Sequence, residues 1–132
     1  VSMRGVIEHF SRPTDVFDRL PDFLNDGGYL YICATPTCDN LAFETLRGDW
    51  RLFTPFEHVH FFNKDLLARL LGPKFTFIEC EFPYLNTPYS DIVEDMKSID
   101  TAINQKVNGK EITAASRSFP GAMINILFKY EP

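Results

Sequence analysis

The stretch from Val1 to Pro36 limits the fold of this chain more than any other, because it reads strand, helix, strand. Val1 to Ile7 is short and mostly apolar, with Arg4 its only charge, and it stops at the pair Glu8-His9. Pro13 suits a first helical turn, where a missing N–H costs nothing. Val16, Phe17, Leu20, Phe23 and Leu24 then follow at helical spacing, which predicts one crossover helix. Asn25-Asp26-Gly27-Gly28 supplies residues that end a helix in a left-handed turn. Tyr29 to Ala34 is a near-continuous apolar run, as in a strand buried on both faces. Strand, crossover and strand of this length make a right-handed unit with parallel strands.

Parallel strands place their carboxyl ends on one edge, and open α/β sheets bind ligands in the crevice there. Glu8-His9 and Thr35-Pro36 both fall on that edge. An acid beside an imidazole can work as a general acid/base or ligand-positioning pair. Equally, Glu8 can cap the next helix while His9 packs over the strand end.

The rest of the chain reads as α, α, β, α, β. Asp39 or Asn40 can cap a short helix carrying Leu41, Ala42, Phe43 and Leu46, with Gly48 just past its end. Asp49 to Phe62 is a loop dense in aromatics, and long loops inside compact domains tend to be lids or binding loops. Asn63 caps a helix with Leu66, Leu67, Leu70 and Leu71, which Gly72-Pro73 stops. Phe75 to Phe82 reads as a strand. Pro88 opens a longer helix whose core stripe is Ile92, Met96, Ile99 and Ile103, ended by Asn108-Gly109. Glu111 to Pro120 is polar and irregular, and Met123 to Tyr130 is a final strand.

Arg4-Gly-Val-Ile-Glu-His-Phe-Ser-Arg-Pro13, followed by Leu24-Asn-Asp-Gly-Gly28, resembles the second half of a class I S-adenosylmethionine-dependent methyltransferase. In that family a strand ends in an apolar-Glu-His group, and a glycine turn leads into the fifth strand. Trp50-Arg-Leu-Phe-Thr-Pro-Phe-Glu-His58, with His60-Phe-Phe-Asn63, is similar to a second signature, that of the ubiquinone-biosynthesis-like and small-metabolite subgroup. The resemblance implies an α/β fold, the C-terminal half of a Rossmann-like methyltransferase sheet. Its strands would be the family's fourth, fifth, seventh and sixth, the seventh antiparallel between its neighbours, with helices on both faces. It further implies one partial domain over 1–132 whose N-terminal cofactor-binding half is missing, and an acceptor-side insertion over 37–63.

The glycine-rich turn that lets backbone approach the cofactor is absent, since no two of the seven glycines are separated by a single residue. Nor is there the acid that would hold the ribose. The resemblance places Arg4 and Gly5 at the strand end beside the cofactor's methionine part; Gly5 equally fits a tight packing contact. From the resemblance, His58 lines the acceptor pocket, and Trp50, Phe53, His60 and Tyr89 contribute to it. Methyl transfer asks for proximity, alignment and, with a hydroxyl acceptor, removal of a proton. His9 and His58, supported by Glu8, are the candidates for that base, imidazole being the side chain that ordinarily titrates near neutrality. Against this stands a loop pinned by buried aromatics and a satisfied histidine.

The expectation is therefore the C-terminal part of a methyltransferase for a small-molecule acceptor, without activity or tight S-adenosylmethionine binding of its own. Two other classes stay open: a metal-dependent hydrolase using Glu8, His9, His58 and His60, and a non-catalytic interaction module. Two histidines at alternating positions can share a metal, but the ligand count is not fixed by the sequence, so no metal is assigned.

Composition narrows the partners. A net charge of −5 disfavours nucleic acid and anionic membranes, and no apolar run approaches bilayer length. Three cysteines without CxxC spacing fit reduced thiols and a cytoplasmic place. The chain opens on Val1 with no signal peptide, and its natural N-terminus is taken to lie upstream. With nothing before it, the strand at 1–7 would be an open apolar edge with Val6 and Ile7 partly bare, so a homo-oligomer through that edge is expected.

Overall fold

The computed structural model describes residues 1–88, 90–114 and 119–132. One sheet holds β1 (Ser2–Arg4), β2 (Tyr29–Pro36), β4 (Met123–Tyr130) and β3 (Phe75–Glu81), in that spatial order. β1 runs parallel to β2, with Arg4 beside Cys33, and β4 lies between β2 and β3, antiparallel to both. The fold is thus α/β, with the inserted antiparallel last strand that the resemblance implies. The helices are α1 (Pro13–Phe17), α2 (Leu41–Leu46), α3 (Lys64–Leu71) and α4 (Ile92–Val107).

The main core lies on one face of the sheet. Ile124, Ile126, Phe128 and Tyr130 point into it from alternate positions of β4, together with Leu30 and Ile32 of β2. Phe17, Leu20, Leu67 and Leu71 close it from the helical side. The other positions of β4 are half-buried, and Tyr29 is 52% exposed, so β2 is not covered on both faces as its apolar run suggested. A second cluster gathers Ala42 and Leu46 of α2, Trp50, Ile99 and Ala102 of α4, and Phe119 and Ala122.

Local chemistry explains the well-placed helices. Asn40 caps α2 by accepting from the Phe43 N–H at 3.0 Å, and Asn63 caps α3 from the Leu66 N–H at 2.9 Å. The Asn63 amide also donates to Asp39 at 2.7 Å, which fixes the two helix starts to each other.

Further expectations are corrected. The first strand is Ser2–Arg4, not 1–7: Gly5 adopts φ +55, and Ile7–His9 coil into a 3-10 turn. Ile7 is fully buried rather than bare, and Val6 is 36% exposed. The crossover is not one helix, because Pro21 has no N–H and its ring would clash with the Phe17 carbonyl; α1 ends at Phe17 and Leu20–Phe23 form a 3-10 turn. Helix α2 ends at Leu46 with the positive-φ Arg47 (φ +53) as its cap, and Gly48 lies just past its end as expected.

The last correction concerns α4. It starts after Asp91, whose side chain accepts from the Glu94 N–H at 3.1 Å, rather than at Pro88. Its buried line is Asp95, Ile99 and Ala102, whereas Ile92, Met96 and Ile103 are 45%, 50% and 40% exposed. The helix is turned inward on Asp95 because that carboxylate accepts from the Tyr84 hydroxyl at 2.5 Å, both groups being buried.

Burial, and then Asp95, push the Tyr84 phenol up to about 12 from its ordinary value of 10.0. A raised acid favours the protonated folded state, so this stabilisation is complete below pH 10 and is lost as pH rises towards 12. Tyr84→Phe should destabilise the fold by about 1–3 kcal/mol at pH 7, since a buried acceptor loses its donor. Denaturant titrations across pH 9–12 should also show a smaller alkaline loss of stability in the variant. An unchanged alkaline loss would contradict this account of the pair.

Candidate functional site

The carboxyl edge of β1 is built by the turn that follows it. The Gly5 N–H donates to the Cys33 carbonyl at 3.0 Å, and the left-handed turn there leads the chain back under the sheet edge. Glu8 thereby becomes buried, at 1% exposure. Its Oε2 accepts from the Thr35 hydroxyl at 3.4 Å, and its Oε1 lies 3.7 Å from His9 Nε2. Glu8 does not cap α1, whose start has no side-chain cap.

The aromatic loop is pinned onto this turn by its backbone. The Glu8 carbonyl accepts the N–H groups of Val59 (2.9 Å) and His60 (3.3 Å). His9 Nδ1 donates to the Glu57 carbonyl at 2.6 Å, and His58 Nδ1 donates to the Leu52 carbonyl at 2.9 Å, with the Thr54 hydroxyl at 3.2 Å. Carbonyl oxygens only accept, so each neutral ring carries its proton on Nδ1 and leaves Nε2 as a lone pair. The two ring centroids are 4.9 Å apart. One ligand atom each from Glu8, His9 and His58 lies within 4.8 Å of the others. Such a group can take a proton from a ligand or hold a divalent cation.

The other predicted site residues are placed as follows. His60 stands apart: its Nε2 donates to the Ser11 carbonyl at 3.4 Å and its ring packs on Phe62 at 5.8 Å. The segment is not a strand, so the alternation that would have aimed His58 and His60 together does not operate. Trp50 is 1% exposed in the second core cluster, and its indole Nε1 has no hydrogen-bond partner among the described residues. Phe53 is half-buried, stacked on Phe61 at 5.4 Å. Tyr89 lies outside the described residues.

Arg4 and Gly5 sit beside this group. A Cβ on Gly5 would stand 3.6 Å from Glu8 Oε1 and 3.8 Å from the Ala34 carbonyl oxygen. Arg4 opens onto a cavity of about 220 Å³ whose walls include Ala34, Tyr84, Phe119, Met123 and Asn125. The glycine-rich turn that would hold the adenosyl end of S-adenosylmethionine is not in this sequence.

Three participants escaped the sequence reading. Asn125 is a lone amide in an apolar strand; its Oδ1 accepts the Ala34 N–H at 2.9 Å and its Nδ2 donates to Glu81 at 2.7 Å. Ala34 itself has φ +55, at the bulge between Ile32 and Thr35 where the β2–β4 register shifts. Tyr84 carries no signal of its own, but the acid it binds does: Asp95 sits four residues before Ile99 on a buried line.

A Rossmann-like sheet with an inserted antiparallel strand, an acid–imidazole pair at a strand's carboxyl end and a loop folded over it define an α/β domain with a ligand site at the sheet edge. The family model described as a methyltransferase domain matches residues 1–72, more than half of the 132 residues. The chain belongs to that family, whose members generally use S-adenosylmethionine. No curated protein matches the chain. Among the described residues no helix is long and apolar enough to cross a membrane.

Proposed function

We propose that the chain forms the acceptor-side part of an S-adenosylmethionine-dependent methyltransferase acting on a small molecule, of the ubiquinone-biosynthesis-like and small-metabolite kind. The observation that carries this reading is the meeting of Glu8, His9 and His58 at the strand edge inside the family-matched region. The bound methyl donor supplies an activated methyl group, and the described residues then have to hold the acceptor and take its proton. An Nε2 lone pair of His58 or His9 accepts the proton of an acceptor hydroxyl, and the buried Glu8 carboxylate offsets the positive charge that the imidazole gains. Phe53 and its stacked neighbours give the loop a rigid apolar body.

Because the glycine-rich turn for the adenosyl end is not in this sequence, isothermal titration of this chain with adenosylhomocysteine is expected to show no saturable binding at micromolar concentration. Micromolar affinity would overturn the proposal that the cofactor half lies elsewhere. In the complete enzyme, His58→Ala should lower turnover by about 10²–10⁴-fold while adenosylhomocysteine affinity stays nearly constant, the signature of a proton-transfer group. Equal losses in both would assign His58 to loop structure instead.

A second reading rests on the same geometry. Both imidazoles are oriented by carbonyls through Nδ1, the arrangement that metal-binding histidines use, and a carboxylate completes a three-ligand set. A metal-dependent hydrolase would use it. Metal analysis after dialysis against zinc separates the readings: a stoichiometric ion lost in Glu8→Gln favours the hydrolase, and its absence favours the methyltransferase.

The homo-oligomer is retained as a proposal on a smaller footing. β1 pairs only with β2 among the described residues, and Val1, Met3, Val16, Leu20 and Phe23 line an open apolar cleft beside it. Sedimentation equilibrium at micromolar concentration should give a mass above 15.2 kDa; a clean species at that mass would refute it.

A further inference from the structure

The cavity at Arg4 has a chemistry of its own. Its walls come from the ends of three strands and from the segments flanking β3 and β4. Among the described residues lining it, Arg4 is the only charged one, in a protein of net charge −5. Its guanidinium makes no ion pair or hydrogen bond with any described residue. The other polar groups are already engaged: the Tyr84 hydroxyl with Asp95, and the Asn125 amide with Ala34 and Glu81. Phe119, Met123 and Pro83 make the remaining wall apolar. At about 220 Å³ the space is below the roughly 300–1,000 Å³ of drug-sized sites, so it suits a small ligand. An open guanidinium at the mouth of an apolar recess matches a planar anion, because its fork donates two parallel hydrogen bonds to a carboxylate.

We propose that this cavity binds the methyl acceptor, and that the acceptor is a small carboxylate with an apolar or aromatic body whose charge is read by Arg4. The proposal rests on the methyltransferase reading for the word acceptor, and it moves Arg4 from the cofactor to the substrate. The bulge at Ala34, held by Asn125 in place of a ladder bond, opens the sheet edge to make this room, as bulges beside binding sites do. Arg4 is a specificity-determining residue in this role and takes no part in moving the proton.

The test is a set of NMR titrations on the full chain with benzoate, its neutral isostere benzamide, and homocysteine, all without a methyl donor. Benzoate is expected to saturate the site, shift the signals of Tyr84, Met123 and Asn125, and bind more tightly than benzamide. Arg4→Gln should weaken benzoate roughly ten- to hundred-fold, the loss of a charge-assisted pair, and leave benzamide unchanged. Retained benzamide binding shows that the variant's cavity is intact. Equal affinity for the two probes, an Arg4→Gln variant that still prefers benzoate, or no binding of either would overturn the proposal. Homocysteine binding that depends on Arg4 while benzoate does not bind would return the site to the cofactor's amino-acid end, and would overturn it too. Since no methyl donor is present, failure of methyl transfer and failure of carboxylate binding are read independently.

Discussion

The turn from Gly5 to His9 is the junction on which the rest of the site depends. A buried carboxylate is costly unless it is hydrogen-bonded or paired, and Glu8 has a hydroxyl at 3.4 Å, while His9 Nε2 at 3.7 Å compensates it only when that ring is protonated. That is thin satisfaction for a group 1% exposed. What keeps it inside is the backbone around it. The Glu8 carbonyl takes two N–H groups from the aromatic loop, and His9 takes the Glu57 carbonyl. Loop and strand end hold each other, and the carboxylate is carried in by them. A buried acid kept in place by its neighbours' bonds is the kind of group that proteins retain for chemistry rather than stability.

The same junction orders the aromatic loop. Once 57–60 are fixed on Glu8, Phe61 and Phe62 must turn inward, Phe62 into the main core and Phe61 against Phe53 and Trp50. The loop thus bridges the two hydrophobic clusters, which are otherwise built from different helices. Trp50 belongs to this bridging mass, buried in the second cluster.

Much of this was legible from residues. β4 is a mostly apolar run that follows a Pro-Gly turn, and its bounds are those the sequence predicts, although the alternation of buried and half-buried positions is not visible in it. Asn40 and Asn63 announce α2 and α3 because an amide at a cap has a defined partner two or three residues on. Glu8-His9 could be placed on the sheet edge by counting strands. The failures share one cause, in that tertiary partners overrode local pattern. Pro21 broke a periodicity that looked continuous, and Gly5 ended a strand that looked seven residues long. Ile92, Met96, Ile99 and Ile103 are spaced as a stripe, but the buried Tyr84–Asp95 bond sets which face of α4 turns inward. His58 joined Glu8 while His60 did not, since alternation aims side chains only in a strand.

Gly5 separates two opposite electrostatic settings. Before it stands Arg4, open at a cavity where no other described residue is charged; after it the chain turns and buries the Glu8 carboxylate beside two imidazoles. A side chain at position 5 would sit against Glu8 Oε1 and the Ala34 carbonyl, and the left-handed backbone disfavours any residue but glycine. An anionic acceptor seated against Arg4 is repelled by Glu8 unless its far end is neutral or carries a proton to give. An acceptor bound as proposed would be favoured with its carboxylate towards Arg4 and its neutral end away from it, by the charge order along this short segment. Orientation of that kind is what a methyl transfer asks of the protein, because the donor already carries the reactivity.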